Sequence, residues 1–227
     1  MVKFPVLLID LDNTLYDFAA AMDKASNAVI RMIGTGDPKE LIRACIFSPY
    51  GVENLQTLID YLQNQGIEDK SVLTAACDTF DRTKREAITP FPGVVQCMQQ
   101  IFDAGILIGV VTNATSFHAH ERLSLIGVSF LIHRLFSPDT TGFKKPDPGM
   151  FHHAADVMGY PSHRICVLGD NLRNDIAPAQ EAGMYGVHAR YGDRLPVEFA
   201  GDTIADACIE SFKDIIPILG LRNESFD

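Results

Sequence analysis

The chain has 227 residues, of which 47% are apolar and 21% charged, and its 19 basic against 29 acidic residues give a net charge of -10. This composition excludes a disordered chain, and so acidic a protein is not expected to bind a long nucleic acid, whose phosphates require a basic surface. The longest apolar runs, such as residues 106–111, fall far short of the roughly 20 residues that a membrane helix needs.

The N-terminus and the cysteines indicate the compartment. The opening residues MVKFPVLLID lack the basic start, apolar stretch and small-residue cleavage site of a secretory signal, so we expect a cytoplasmic protein. The five cysteines are odd in number and form no CxxC pair, which argues against a disulfide framework and against a zinc site. We expect a monomer or a homodimer that does not bind membranes.

The first third of the chain changes character after a single strand. Residues 5–9 form a short apolar run that ends in the polar sequence DLDNT, as expected of a buried parallel strand. Apolar residues then recur at helical spacing from Phe18 to Ile33, from Leu55 to Leu62 and from Leu73 to Phe80. We therefore predict an all-helical block over residues 17–89.

The remainder alternates between helix and strand. We predict helices over residues 94–101, 117–126, 150–158 and 175–182, with Ser116 as the N-cap of the second, and strands over residues 106–111, 134–136, 165–168 and 185–189. This alternation indicates an α/β fold with a doubly wound parallel sheet. The predicted domains are an α/β core of residues 1–16 and 90–227 and an inserted helical domain of residues 17–89.

Polar residues cluster where the predicted strands end. The first strand ends in Asp10, Asp12 and Thr14, and carboxylates two residues apart on an extended chain can face one small volume. The next strand ends in Thr112, followed by the amides of Asn113 and Ala114 at a helix start, a natural phosphate seat. Each motif alone also fits an ordinary capping turn.

Two later motifs extend this cluster. The stretch GFKKPDP contains Lys144 and Lys145, and Pro146 directs the second lysine away from helical geometry. The sequence GDNLRND places Asp170 at a strand end and Asp175 five residues later, and such oxygen ligands suit Mg²⁺. Because ligands bind at the carboxyl ends of the strands in such sheets, the motifs together predict one site.

The segments DLDNTLYD, VVTNA, KPDPGMF and GDNLRND resemble the four successive motifs of the haloacid dehalogenase superfamily, in its phosphatase branch. The resemblance covers essentially the whole chain and makes the helical block a cap domain. It implies an Mg²⁺-dependent phosphatase that forms an aspartyl phosphate. The implied roles are nucleophile for Asp10, general acid and base for Asp12, phosphate binding for Thr112, Asn113 and Lys145, and metal binding for Asp10, Asp12, Asp170 and Asp175.

The substrate remains open. The resemblance implies a small phosphorylated metabolite, which is a nucleoside 5'-monophosphate or, as the alternative, phosphoglycolate or another sugar or small-acid phosphate, and no motif of the helical block chooses between them. Asp17, Phe18 and Tyr50 are the expected substrate contacts from the start of the helical block and its FSPYG turn. Asp12 argues for phosphate esters, because the dehalogenases of the superfamily lack that carboxylate. Rival interpretations are a phosphomutase, a phosphoacceptor signalling domain and an inactive scaffold.

Overall fold

The computed structural model of the protein describes residues 2–52, 54–194 and 202–222. Contacts divide the chain into two compact units, residues 1–17 with 89–227 and residues 18–88. The first unit is built around a parallel sheet and the second is helical. The predicted α/β fold with an inserted helical domain is therefore confirmed. Among the described helices, none is long and apolar enough to cross a membrane.

The helical unit contains four helices among its described residues, which are α1 (Phe18–Ile33), α2 (Pro38–Ile46), α3 (Gln56–Asn64) and α4 (Lys70–Ala87). Helix α1 packs against α2 and α4. The sequence stripes predict α1, α3 and α4 but miss α2, because α2 buries only Leu41 and Cys45. Its start nevertheless has a readable signal, since Asp37 caps the helix and Pro38 occupies its first turn.

The described strands of the first unit are β1 (Val6–Ile9), β2 (Leu107–Val111), β3 (Arg134–Phe136), β4 (Ile165–Gly169), β5 (Tyr185–Ala189) and β6 (Ala207–Ile209). They form a parallel sheet in the order β3-β2-β1-β4-β5-β6. Strand β1 lies at its centre and pairs Val6 with both Leu107 and Ile165. All four residues of β1 are buried, as expected of a strand covered on both faces.

The helices of the first unit lie between these strands in the chain, except for the last, which follows β6. They are α5 (Val94–Asp103), α6 (Ser116–Leu125), the short α7 (Pro138–Thr141), α8 (Gly149–Met158), α9 (Ala177–Glu181) and the short α10 (Ile215–Ile218). Helix α8 packs against β2 and β3, and its Met150, Phe151 and Met158 join the hydrophobic core. Helix α5 also packs against β2, and α9 packs against β5.

Two predicted helix starts require correction. Helix α6 is capped by Thr115, not by Ser116, which is its first helical residue. The helix predicted to begin at Asp175 starts as a single π-helical turn, Leu172–Ile176, before α9. Asn171 begins this turn, and its side chain accepts hydrogen bonds from the backbone amides of Arg173 and Asn174. The wider turn places Asp175 beside the end of β4.

Candidate active site

The predicted site residues follow the central strands of the sheet. Asp10 directly follows β1 and Asp170 directly follows β4. The backbone amide of Asp10 donates to the carbonyl of Leu168 at 2.8 Å, so the hydrogen bonding between these two strands extends to Asp10. The strand order reverses between β1 and β4, which is where ligands bind in doubly wound folds.

Three carboxylates share a buried cluster at this edge. Asp10, Asp170 and Asp175 each offer an oxygen within 4.8 Å of the others, and all three residues are buried. Burial raises the pKa of Asp10, against the lowering effect of the Lys145 ammonium. Burial, followed by the charge of Asp10, raises the pKa of Asp170 well above its ordinary value. The ionised forms of Asp10 and Asp170 are therefore less favourable in this cluster than in water.

Lys145 is the cation that contacts this cluster. Its buried Nζ donates to Asp10 Oδ1 and Asp175 Oδ1, both at 2.5 Å, and to the carbonyl oxygen of Val111 at 2.9 Å. These bonds engage all three donor positions of an ammonium group. Burial lowers the pKa of Lys145, but the charges of Asp10 and Asp175 outweigh it and raise that pKa. Lys145 is therefore charged at neutral pH.

The loop after β2 positions this lysine. The side-chain amide of Asn113 donates to the backbone carbonyl of Lys145 and its oxygen accepts from the backbone amide of Lys145, both at 2.9 Å. The Lys145–Pro146 peptide bond is cis. Asn113 therefore contacts the backbone of Lys145, whereas the sequence predicts that it binds phosphate. Lys144, the neighbouring lysine, is exposed.

Thr112 and Thr14 contribute buried hydroxyl groups. Thr112 Oγ1 accepts from the backbone amide of Ala114 at 3.0 Å. Thr14 Oγ1 lies 3.1 Å from Asp10 Oδ2 and 3.2 Å from Asp170 Oδ1, and it accepts from the amide of Asp170 at 3.1 Å. Its single hydrogen serves only one of the two carboxylates at a time. Thr14 thus links the ends of β1 and β4.

Close backbone packing completes this edge of the sheet. A Cβ atom at Gly169 would lie 2.5 Å from Cβ of Asp175, so glycine lets the π-helical turn approach the strand. A Cβ atom at Gly192 would lie 1.7 Å from the carbonyl oxygen of Asn13. Asn13 itself has a φ of 62°, a conformation that asparagine tolerates better than most residues. Glycine at position 192 therefore lets its loop pack directly against the backbone of the first motif.

The Asp12 carboxylate lies outside the acidic cluster. Nη1 of Arg122 donates to both of its oxygens, at 2.8 and 2.9 Å, and the Tyr16 hydroxyl donates to Oδ1. Burial, followed by the Asp12 charge, raises the pKa of Tyr16 well above its ordinary value, so this phenol keeps its proton. Asp12 was predicted both to bind metal and to transfer protons. Its side chain contacts Arg122 and Tyr16 instead of the other three carboxylates.

The predicted substrate contacts occupy different environments. Asp17 Oδ2 accepts from Nη2 of Arg194 at 2.5 Å on a partly exposed face of the first unit. Phe18 is 8% exposed and begins α1, whereas Tyr50 is 52% exposed in the turn that follows α2. A role for these three residues in substrate binding stays a prediction.

Thr14, Tyr16 and Arg122 make contacts in the site that the sequence does not predict. Thr14 stands within the DxDxT pattern, so its position was visible but its bridging contact was not. Arg122 and Tyr16 are almost fully buried. Nothing in the sequence marks Arg122, because its partner Asp12 precedes it by 110 residues.

The acidic cluster fits a divalent cation. The three buried carboxylates offer only oxygen atoms as ligands, which Mg²⁺ prefers. Lys145 contacts two of these carboxylates. The raised pKa values of Asp10 and Asp170 reflect the cost of burying these charges together. A bound cation would offset that cost.

Buried carboxylates and a lysine thus meet at the switch point of a doubly wound sheet, where such folds bind their ligands. Residues 4–183 match the family model described as haloacid dehalogenase-like hydrolase. The chain belongs to this family.

Known proteins of similar length support the assignment. The chain is 27% identical over 229 residues to the glyceraldehyde 3-phosphate phosphatase of Methanopyrus kandleri, covering 96% of this chain and 97% of that protein. It is 27% identical over 234 residues to the phosphoglycolate phosphatase of Yersinia pestis, with 97% of each chain covered. The structure of a haloacid dehalogenase-type (HAD) hydrolase from Bacillus subtilis, bound to magnesium, superposes on this chain with a TM-score of 0.75. The two sequences are 19% identical, and the superposition covers 96% of this chain and all of that one. The predicted family, fold class and enzyme class, a phosphoric monoester hydrolase, are confirmed.

Proposed function

We propose that this hydrolase is an Mg²⁺-dependent phosphatase that cleaves small phosphomonoesters through an aspartyl phosphate on Asp10. One observation carries the proposal. The Asp10 carboxylate is buried at the switch point of the sheet, 2.5 Å from the Lys145 ammonium and beside Asp170 and Asp175. A nucleophile, a cation and a metal-binding pair are thus proposed to lie within reach of one phosphate group, and Lys145 would bind that phosphate by exchanging one of its three protein acceptors for a phosphate oxygen.

The first step needs the negative charges of carboxylate and phosphate to approach each other. Two unit charges 4 Å apart repel by about 4 kcal/mol at an effective dielectric constant near 20. Lys145 offsets this repulsion, since its ammonium contacts Asp10 directly. A divalent cation held by Asp10, Asp170 and Asp175 would supply further charge stabilisation for the transferring phosphoryl group.

The proposed reaction has two steps, formation and hydrolysis of the aspartyl phosphate. An oxygen of Asp10 forms a bond to phosphorus while the ester P–O bond breaks, and Asp12 gives a proton to the departing alkoxide. Asp12 then takes a proton from water as that water attacks phosphorus, which releases inorganic phosphate and restores Asp10. Thr112, with the neighbouring backbone amides, is proposed to bind the phosphate oxygens.

The substrate is proposed to be a small phosphorylated metabolite. A nucleoside 5'-monophosphate is one candidate, and phosphoglycolate or a three-carbon phosphate fits as well, because the relatives named above act on compounds of the latter kind. We propose that the helical unit is the cap that selects among them and that Asp17, Phe18 and Tyr50 contribute. A cytoplasmic location and a monomeric or homodimeric state remain predictions from the sequence.

The test is phosphate release from a phosphomonoester panel, measured with Mg²⁺ and with a chelator. We expect turnover that the chelator stops and that Asp10→Asn abolishes. The matched control is Asp156→Asn, an exposed aspartate on α8, which should retain activity. Undiminished activity of Asp10→Asn would contradict the proposal. A phosphomutase would yield isomerised ester in place of free phosphate, and a phosphoacceptor domain would be modified once without turnover.

A further inference from the structure

We propose that Arg122 is a positioning residue that holds Asp12 for proton transfer, assisted by Tyr16. The inference rests on the proposed role of Asp12 as general acid and base. It goes beyond that role by giving a function to the buried Arg122, which lies outside the four motifs, and to the buried Tyr16, which lies inside the first motif but has no implied role.

The contacts hold the Asp12 carboxylate from the protein side. Nη1 of Arg122 lies 2.8 Å from Oδ1 and 2.9 Å from Oδ2, and the Tyr16 hydroxyl donates to Oδ1. Arg122 is 1% exposed and Tyr16 is fully buried, whereas the Asp12 side chain is 26% exposed. The carboxylate is therefore fixed on its buried side and accessible on the other.

The same contacts distinguish the two oxygens of Asp12. Oδ1 accepts from both Arg122 and Tyr16, while Oδ2 accepts from Arg122. A carboxylate oxygen accommodates about two hydrogen bonds through its lone pairs. Oδ1 is thus filled by protein donors and Oδ2 retains capacity for a proton. The geometry assigns proton delivery to Oδ2.

Helix α6 connects this arrangement to the phosphate-binding loop. The helix begins at Ser116, directly after Thr112, Asn113 and their loop, and it carries Arg122 two turns further on. A single rigid element therefore follows the proposed phosphate seat and holds the proposed proton donor. Such support keeps reacting groups within the small tolerance that catalysis needs.

A purely structural ion pair would show the same contacts, so the test must separate the two roles. An alkyl phosphate needs a proton on its departing oxygen, whereas the phenolate of 2,4-dinitrophenyl phosphate departs without one. The value of kcat/KM depends only on the steps up to and including departure of the alcohol. The ratio of kcat/KM for the two substrates, measured in one preparation, is also independent of the folded fraction.

We expect Arg122→Met to lower this alkyl-to-dinitrophenyl ratio by about 100-fold, the effect of displacing a reacting group by about 1 Å. Tyr16→Phe should lower it less, and Arg122→Lys should restore part of it. In an Asp12→Asn background, Arg122→Met should add little, because the group that it positions is already gone. The matched control is Arg190→Met, an exposed arginine paired with Glu210, which should leave the ratio unchanged.

An equal loss of kcat/KM on both substrates would overturn the proposal and leave Arg122 with a structural role only. If Arg122→Met does not fold, Tyr16→Phe and Arg122→Lys carry the same test, and an unchanged ratio in both would overturn it. Failure of the proposed function is a different result, since the unmodified protein would then release no phosphate from either ester.

Discussion

Two adjacent lysines differ completely in their surroundings. Lys145 is buried and donates to Asp10, Asp175 and the carbonyl of Val111, whereas Lys144 is exposed. The sequence contains both before Pro146, so composition alone does not choose between them. The difference provides a test in which the charge removed is the same and only its position changes.

We expect Lys145→Met to lower kcat/KM by about 10²- to 10³-fold, the usual effect of losing one preorganised donor to a developing charge. Lys144→Met is the matched control and should change it by less than about threefold. The measurement is steady-state phosphate release, with circular dichroism to confirm folding. Equal losses in the two variants would contradict the assignment of Lys145 to phosphate binding.

Residues at strand ends were the easiest to predict. Asp10 and Asp170 meet in space because each directly follows an apolar strand and because parallel strands end at one edge, and Lys145 reaches them from the loop between α7 and α8. Arg122 was not predictable in this way. An arginine within a helix normally faces solvent, and its contact with Asp12 depends on tertiary packing that local sequence does not encode.

At the scale of elements, helix α6 depends on a contact from another segment. Asp139, in the short helix α7, accepts from the backbone amide of Ser116 at 2.9 Å and from its hydroxyl at 2.5 Å. This pairing satisfies a donor in the first turn of α6. The hydrogen bonds from Ser116 lower the pKa of Asp139 to about 2, although the residue is exposed.

We expect Asp139→Ala to lower thermal stability modestly, by less than about 1 kcal/mol because solvent screens the contact. The folded pKa of Asp139 lies below its unfolded value of 3.8, so the contribution is complete above pH 3.8 and is lost as the pH falls toward about 2. The measurement is the melting temperature of the variant minus that of the unmodified protein, determined at pH 3 and at pH 7. A difference that grows toward acid pH would contradict the assignment, and Asp156→Ala is the control.

Most strands and the longer helices of the first unit were predicted close to their observed limits. Strands β2 to β5 and helices α5, α6 and α8 lie within a few residues of their predicted limits. Strand β6 was not predicted, although β3, which also has three residues, was. The π-helical turn at Leu172–Ile176 was not predicted because its geometry depends on the Asn171 side chain and on packing at Gly169.

At the scale of the whole molecule, the acidic residues that give the net charge of -10 differ in their environments. Most acidic residues of the described chain are solvated, but Asp10, Asp170 and Asp175 are buried together. The raised pKa of Asp170 means that its ionised form is less favourable in the folded than in the unfolded protein. This penalty appears as the pH rises above 3.8 and is complete above the folded pKa.

We therefore expect Asp170→Asn to raise the melting temperature at neutral pH when a chelator is present. Mg²⁺ should reverse the order, because it stabilises only the unmodified protein, by about 2.7 kcal/mol at a concentration 100 times its Kd. Differential scanning fluorimetry with and without Mg²⁺ provides the measurement. If Mg²⁺ stabilised both proteins equally, the cluster would not be its binding site.

The central position of β1 has a consequence for synthesis of the chain. This strand is synthesised before the other described strands of the sheet, and its partners β2 and β4 begin at residues 107 and 165. At about 5 to 20 residues per second, the apolar segment VLLI spends roughly 10 to 30 s without its second neighbour. The helices inserted after it can form from local contacts during that interval. Nascent chains halted before residue 165 should therefore contain helical structure in residues 18–88 but leave β1 accessible to chaperones and proteases.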